Sequence, residues 1–295
     1  ARSIRGTNIK VVTGLETLNS SSAAIMLRKC LRNKSVVIGA IILFIMIMIA
    51  VLAPVISPHD PYLTNGAIAC AKPSAEYPFG TDELGRCVLS RMLYGARITI
   101  PYSLMSLAVA VVIGVPIGLI SGFYRHLDNP LMRFMDILMA FPGMLLAIAI
   151  VATLGQGLGN VTIAVGLGSM PAYARLIRGL VLSLKKMPYI EASISAGGSD
   201  LRIIVRHILP NCIPTIIVYS MLEMAWIIMS ISTLSFLGIG ATPPIPEWGA
   251  LISAGKDYIS SYPHISGFPV IFIFVTVTGF NLLGDGLRDV LDPRM

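Results

Sequence analysis

Long uninterrupted stretches of apolar residues, each about 20 residues or more, dominate the pattern along the chain. Their apolar positions are continuous rather than alternating, which indicates membrane-spanning helices and not the strands of a barrel. Six such stretches lie over residues 36–57, 98–122, 131–154, 161–183, 213–238 and 266–286. The pattern therefore predicts an all-α membrane protein with six transmembrane helices.

Composition supports a bilayer as the surroundings of this chain. Hydrophobic residues make up 55% of the 295 positions and charged residues only 13%, whereas a soluble domain carries about a quarter charged residues. This excludes an ordinary soluble enzyme. It also argues against nucleic-acid binding, despite the net charge of +7.

The distribution of basic residues predicts the orientation. If the N-terminal tail (residues 1–35) is cytoplasmic, most of the 22 Lys and Arg residues fall on the cytoplasmic side, as the positive-inside rule requires. The C-terminus (residues 287–295) is then cytoplasmic too. Residues 58–97 form an external segment, and residues 98–286 form a five-helix core. The tail holds no early apolar run of the kind that marks a cleavable signal.

The external segment carries two local signals. Thr81 followed by two acidic residues is typical of a helix start, which predicts a short helix from there to about Tyr94. Cys70 and Cys87 lie 17 residues apart in an oxidising compartment and could form a disulfide. Two unpaired cysteines are the alternative.

The second apolar stretch carries a row of small residues. Gly114, Gly118 and Gly122 recur at four-residue intervals, so one face of the helix is free of side chains. Such rows let two helices approach closely in lipid. We therefore expect this helix to be a tightly packed member of the bundle.

Catalytic motifs are absent from the sequence. There is no G-x-x-x-x-G-K-[ST] phosphate-binding loop, no H-E-x-x-H and no G-x-S-x-G. We therefore expect no ATP hydrolysis, no cofactor and no metal site in this chain.

Three residues inside the apolar stretches are candidates for a polar pathway, because intramembrane charges are costly. Asp136 lies three residues after Arg133, so neutralisation by that arginine competes with a pathway role. Glu223 has no local partner and could line a pathway or bond to another subunit. Met224 belongs to a methionine-rich stretch that suits flexible packing as well as a pathway.

The loop between the fourth and fifth stretches, residues 188–210, has the pattern of two short helices. Residues 189–196 read as a helix after Pro188, and Gly197 starts a break. Ser199 or Asp200 can begin a second helix, which Pro210 is expected to end. Its apolar positions at helical spacing are Leu201, Ile204, Val205 and Ile208. The loop is either a docking element for a cytoplasmic partner or a plain interfacial linker.

This loop resembles the EAA loop of ABC importer permeases. The resemblance rests on Glu191-Ala192-Ser193, on Gly197, and on His207-Ile208-Leu209-Pro210. The third position is usually Ala in the family. Other segments, among them YPFGTDELGRCVLSRMLYGAR and LSFLGIGATPPIPEWG, are similar to the dipeptide/oligopeptide/nickel permease subfamily. Together they cover about residues 50–295 in the family's order. Cys87 stands where the family usually has Asp, and Ile231 where many members have Glu.

The resemblance implies the permease subunit of an importer in a prokaryotic cell membrane. Its implied partners are a second permease in a heterodimeric pore, two ATPase subunits that hold ATP and Mg²⁺, and an extracytoplasmic binding protein. The implied ATPase-coupling residues are Glu191, Ala192, Gly197, Arg206, His207 and Pro210. A peptide is the expected substrate, with a nickel complex as the alternative.

The resemblance also implies that residues 77–87 and 243–249 face the binding protein, although Trp248 could equally be an interfacial anchor. A secondary transporter or channel is the rival from another class, and it would need no docking loop. A membrane enzyme is a weaker third.

Overall fold

The computed structural model describes residues 28–291. Most of the predicted tail and the last four residues of the chain lie outside this range. The described part is built from helices that we number in chain order: α1 (Lys34–Ile56), α2 (Val88–Phe123), α3 (Arg125–Ala140), α4 (Gly143–Leu154), α5 (Leu158–Leu184), α6 (Pro188–Ser195), α7 (Asp200–Ile203), α8 (Leu209–Phe236), α9 (Trp248–Gly255) and α10 (His264–Leu291). The expected all-α class is confirmed.

The two ends of the bundle carry different structures. At one end, α5 runs into α6 and α7, and we call this the loop end. Helix α8 then has 28 residues and carries the chain about 40 Å away from it. At that opposite end, which we call the α9 end, α9 packs against α8 and α10. The segment between α1 and α2 lies at the α9 end, because Phe79 stacks on Phe268 near the start of α10.

Helix α2 begins later than Thr81, and the expected separate helix from Thr81 to Tyr94 is wrong. Thr81 instead forms an isolated β-bridge with Cys87. Between them the Asp82 carboxylate accepts hydrogen bonds from the backbone N–H groups of Leu84 and Arg86, which closes a tight turn. This pairing uses the backbone groups that a helix would need. Helix α2 starts immediately after the turn and runs without interruption to Phe123.

Close packing of α2 on α5 forms the centre of the bundle, as the glycine row predicts. A Cβ placed on Gly114 would lie 2.6 Å from the carbonyl oxygen of Met170. At Gly122 it would lie 2.6 Å from the Cβ of Val181. The contact is reciprocal, because a Cβ on Gly166 of α5 would lie 2.6 Å from the carbonyl oxygen of Ser106. The two backbones can approach this closely only because glycine occupies these positions.

The expected single helix over residues 131–154 is wrong. The chain bends by 94° between α3 and α4. Phe141 at the break is extended, and Pro142 precedes the first residue of α4. Proline disfavours helical geometry in the residue before it, which explains why the chain breaks at this point.

Pro210 does not end the second helix of the loop, contrary to expectation. Residues Asp200–Phe236 form one continuous helix, with a π-helical turn over Ile204–Ile208. Pro210 lies in the first turn of α8, just after the π turn. Inside this continuous helix the proline lacks the N–H that a helical hydrogen bond needs, and a local π-helical adjustment of the kind seen just before it accommodates such a residue.

Within residues 28–291, length and apolarity support four to five of the six predicted spans. Helices α1, α2, α10 and the continuous Asp200–Phe236 helix are long and apolar enough to cross a membrane, and the bent α3–α4 pair makes up to five. Helix α5 has 27 residues but is not among them. It carries Arg175 and Arg178 in its second half.

Candidate functional site

The segment between α5 and α8 is anchored to the loop end of the bundle. Ile190 of α6 and Ile203 of α7 are buried. Both belong to a cluster with Ile177 and Val181 of α5 and Phe123 of α2. Burying aliphatic side chains in this way stabilises a connection that would otherwise be mobile. The segment is therefore an ordered part of the helical core.

A glycine turn joins the two short helices. Gly197 has a positive φ of 76°, a conformation that glycine adopts without steric cost. The next residue is tightly enclosed, since a Cβ on Gly198 would lie 2.9 Å from the carbonyl oxygen of Ser193. The Gly-Gly pair thus produces the sharp reversal that the sequence predicts.

The exposed face of the segment carries large apolar side chains, and it differs in part from the expected packing. Ile203, Ile204 and Ile208 are buried, whereas Leu201 is 71% exposed and Val205 53% exposed. Further large apolar side chains are exposed on α6 and just before it: Met187, Tyr189 and Ile194. The buried face is therefore shifted by about one position from the predicted one. A second apolar face points away from the bundle.

The predicted coupling residues lie mostly on the outside of this segment. Glu191 and Ala192 are exposed on α6, as are Arg206 in the π turn and Pro210. His207 is half-buried. None of the ion pairs in residues 28–291 involves Glu191. Its carboxylate is thus available to a partner, and Gly197 forms the turn behind it.

Two ion pairs connect α3 to α5, the helix that leads into the loop. Both Arg178 Nε and Arg178 Nη2 donate to the Asp128 carboxylate, at 2.5 and 2.6 Å. Arg175 Nη2 donates to Asp136 at 2.6 Å. Asp136 therefore pairs with an arginine 39 residues away, and the expected pairing with Arg133 is wrong. Residues three positions apart on a helix can meet, but here the tertiary partner offers better geometry.

The bidentate pair is expected to stabilise the fold more than the single one. Asp128→Asn removes one charge where the side chains are 17% and 33% exposed. It should lower the free energy of unfolding by about 1–2 kcal/mol. The thermal midpoint of the purified protein should fall accordingly. Asp136→Asn is the matched control, because its pair is 60% and 51% exposed and water screens it. Thermal unfolding in mild detergent measures both. Equal shifts for the two variants would contradict the assignment.

The candidate pathway residues of α8 face different surroundings. Glu223 is half-buried and lies one helical turn after Tyr219 on α8. The ring of Tyr219 meets that of Tyr173 edge to face, at 4.8 Å between centroids. Met224, in contrast, is fully buried in an apolar cluster with Leu43 of α1 and Phe280 of α10. Met224 therefore packs between helices, which is one of the two roles that the sequence allows for it.

An acidic and basic cluster fixes the turn before α2. Arg86 Nε donates to Asp82 at 2.7 Å, and Arg86 Nη2 donates to Glu83 at 3.0 Å. Burial, followed by the neighbouring charge of Asp82, raises the pKa of the Glu83 carboxyl. Arg91 reaches across to the carbonyl oxygen of Pro61 at 3.1 Å. Residues 77–87 thus form a rigid turn. Next to it, Arg91 holds the first part of the segment between α1 and α2 against α2.

The structure does not bring Cys70 and Cys87 together, contrary to the disulfide expectation. Both are free thiols. The backbone of Thr81 and Asp82 lies between them, bonded to residues 70–71 on one side and to residues 86–87 on the other. Two strand-like spacings amount to about 10 Å, and a disulfide requires Cα atoms about 4.4–6.8 Å apart.

A buried glutamate that the sequence reasoning missed joins three helices at the α9 end. Glu247 caps α9 by accepting from the backbone N–H of Ala250 at 3.0 Å. Its other oxygen accepts from Thr99 of α2 at 3.2 Å and from Ser232 of α8 at 3.1 Å. The residue is fully buried. The sequence signal that could have found it is its position directly before Trp248, the first residue of a helix, where a side-chain oxygen can cap the helix.

Trp248 is not an interfacial anchor. Its side chain is fully buried, and its Nε1–H donates to the carbonyl oxygen of Met92 at 3.2 Å. Within residues 243–249, Pro243 and Pro244 are exposed, whereas the residues from Pro246 to Gly249 are buried. Only the tip of this loop can meet a partner.

These features define a polytopic helical membrane protein. An ordered loop between α5 and α8 exposes apolar side chains on its surface. Residues 114–295 match the binding-protein-dependent transport system inner membrane component family. Residues 21–73 match the N-terminal TM domain of oligopeptide transport permease C. The chain belongs to the binding-protein-dependent transport system inner membrane component family, which confirms the resemblance found in its sequence. It is a permease subunit and not an enzyme.

Named relatives cover nearly the whole chain. A glutathione transport system permease protein of Pectobacterium atrosepticum is 42% identical over 271 residues, which cover 91% of this chain and 90% of the relative. A putative peptide transport system permease protein of Brucella abortus is 42% identical over 278 residues, 94% of each chain. An inward-facing MetNI methionine ABC transporter structure has a TM-score of 0.55 at 19% identity, covering 69% of this chain and 96% of that one. That likeness shows the fold.

Proposed function

We propose that this chain forms half of the translocation pathway for peptides in an ATP-driven importer, and that residues 188–210 couple it to cytoplasmic ATPases. The observation that carries this proposal is the form of the loop. It is fixed to α2 and α5 by buried isoleucines, and it presents Glu191 between exposed apolar side chains. Exposed apolar side chains beside an unpaired charge suit a protein partner.

The connection of the loop to the bundle supports a role in transmitting motion. Helix α5 runs directly into it, and it continues without a break into α8. The ion pairs to α3 extend the rigid unit to the 94° bend before α4. Movement of the loop by an ATPase would therefore shift α5 and α8 and, through the ion pairs, α3.

The proposed assembly follows the family. A second permease completes a heterodimeric pore, two ATPase subunits bind ATP and Mg²⁺, and an extracytoplasmic binding protein delivers the substrate. Six spans with both termini cytoplasmic agree with the distribution of basic residues. The proposed location, the inner membrane of a prokaryote, follows from the family and the relatives. The loop and the 58–87 segment lie at opposite ends of the bundle, as this orientation requires.

The proposed pathway face includes Glu223 and the Asp136–Arg175 pair. Both side chains of that pair are more than half exposed on the isolated subunit. A charged pair facing hydrocarbon is costly, so this face is expected to adjoin water or the second permease. Glu223 and Tyr219, both half-buried on α8, are proposed to contribute polar side chains to the pathway.

Peptides are the preferred substrate class. The relatives described above are named for peptide and for glutathione transport, and glutathione is itself a tripeptide. A nickel complex is therefore the less favoured substrate.

A pull-down in mild detergent tests the proposed function. The tagged chain should recover a second permease and two Walker-motif ATPases. The reconstituted complex should take up labelled peptide into liposomes only with ATP and the binding protein. Excess unlabelled peptide should compete, and nickel should not. A chain that purifies alone and still transports without ATPases would overturn the proposal in favour of a secondary transporter.

A further inference from the structure

An open groove runs between α8 and α10 at the α9 end. Its volume is about 380 Å³, within the range of small-molecule clefts. The lining is almost entirely apolar, from Met229, Ser232, Thr233 and Phe236 of α8, Ile252 of α9, and Val270, Ile273, Phe274 and Val277 of α10. Along α8 it extends about 10 Å from the helix end. The groove therefore lies at the depth of one bilayer leaflet.

The two hydroxyl groups in the groove already have hydrogen-bond partners. Ser232 donates to the buried carboxylate of Glu247 at 3.1 Å. Thr233 donates to the carbonyl oxygen of Met229 in its own helix at 2.7 Å. A peptide, with a polar backbone group at every residue, would lose its hydration here without replacement. A hydrocarbon chain has no such groups, so the lining suits it.

Lys256 lies at the end of the groove. Lys256 follows α9 directly and is exposed. Its Nζ lies 6.0 Å from the ring centre of Phe236, which lines the groove. None of the ion pairs among residues 28–291 involves this lysine. Its charge is thus free for an anionic group located where the apolar lining ends.

We propose that this groove is a phospholipid-binding site, in which one acyl chain lies between α8 and α10 and the phosphate binds Lys256. The combination matches the two parts of the ligand: hydrocarbon against the aliphatic and aromatic walls, and a phosphate beside an ammonium group at headgroup level. The lipid belongs to the leaflet on the α9 side, which is the outer leaflet in the proposed orientation. Its tail covers the side of α8 that carries the Ser232–Glu247 bond.

Photo-crosslinking of the assembled importer tests the site. The complex is reconstituted with phosphatidylglycerol that carries a diazirine in one acyl chain, and adducts are located by mass spectrometry. Adducts should concentrate on residues 229–236 and 270–277. Val270→Trp, which fills the groove, should remove most of them. Lys256→Gln should reduce the adducts about fivefold. One basic residue near an anionic membrane surface changes lipid affinity by about that factor.

Matched controls separate the groove from general lipid exposure. Val51→Trp adds the same bulk to an exposed position of α1, and Lys72→Gln removes a lysine from the 58–87 segment at the same end of the bundle. Both should leave the adducts unchanged. Adducts spread evenly over the exposed faces of α1 and α10 would overturn the proposal. So would a photoreactive residue at position 270 that crosslinks to the second permease instead of to lipid.

Discussion

Glu191→Lys is expected to abolish ATP-driven uptake while leaving the chain inserted and assembled with the second permease. Glu191 lies exposed on α6, beside apolar side chains that nothing in the described part of the chain covers. We expect a basic residue of the ATPase to pair with it. A like charge in a protein interface costs several kcal/mol, so uptake and transport-linked ATP hydrolysis should fall at least tenfold. Both are measured in liposomes with the binding protein present.

Two further variants make this result specific. Glu76→Lys is the same charge reversal on an exposed residue of the 58–87 segment, at the other end of the bundle, and uptake should be unaffected. Leu201→Ser removes an exposed apolar side chain next to α6 without a charge change, and it should weaken ATPase co-purification. Normal uptake by Glu191→Lys would remove the coupling role from this residue. A protein that no longer inserts would show a structural role instead.

The parts of this fold that depend on local pattern could be predicted from the sequence. Continuous apolar runs place the long helices, and Pro188 with the Gly197-Gly198 pair predicts the helix, the turn and the second helix of the loop. The glycine row on α2 correctly predicts a close helix contact. In each case the determining residues are neighbours in sequence, within reach of backbone and steric arguments.

The features that could not be predicted depend on residues far apart in the chain. Arg133 is the candidate ion-pair partner of Asp136 that is nearest in sequence. The partner in the structure is Arg175, which lies on a different helix, α5. Glu247 connects three helices only because Thr99 of α2 and Ser232 of α8 donate hydrogen bonds to its carboxylate. In residues 200–208 the sequence predicts Leu201 on the buried face, but Ile203 is buried instead, because the two residues are equally apolar. Periodicity cannot decide which of two apolar faces meets the bundle and which is left for a partner.

Gly118→Ala is expected to destabilise the subunit, although it adds only one methyl group. A Cβ on Gly118 would lie 2.6 Å from the carbonyl oxygen of Ala174 and 2.7 Å from the Cβ of Ile177. These atoms belong to α5, so α2 and α5 must separate to accept the methyl group. Overpacking of this kind costs about 1–3 kcal/mol. The thermal midpoint of the complex in mild detergent should fall, and Gly118→Leu should prevent assembly.

Gly179→Ala provides the control within the same helix pair. Gly179 lies on α5, where an added Cβ would meet nothing within 4 Å. The substitution there should be neutral or stabilise the helix by up to about 1 kcal/mol, because alanine has the higher helix propensity. The two variants add the same methyl group, so the difference between their midpoints isolates the α2–α5 contact. Because α5 continues directly into α6, a wider spacing should also displace Glu191. Gly118→Ala should therefore lower the uptake rate as well as stability, whereas equal midpoints would exclude the close contact that holds the loop in place.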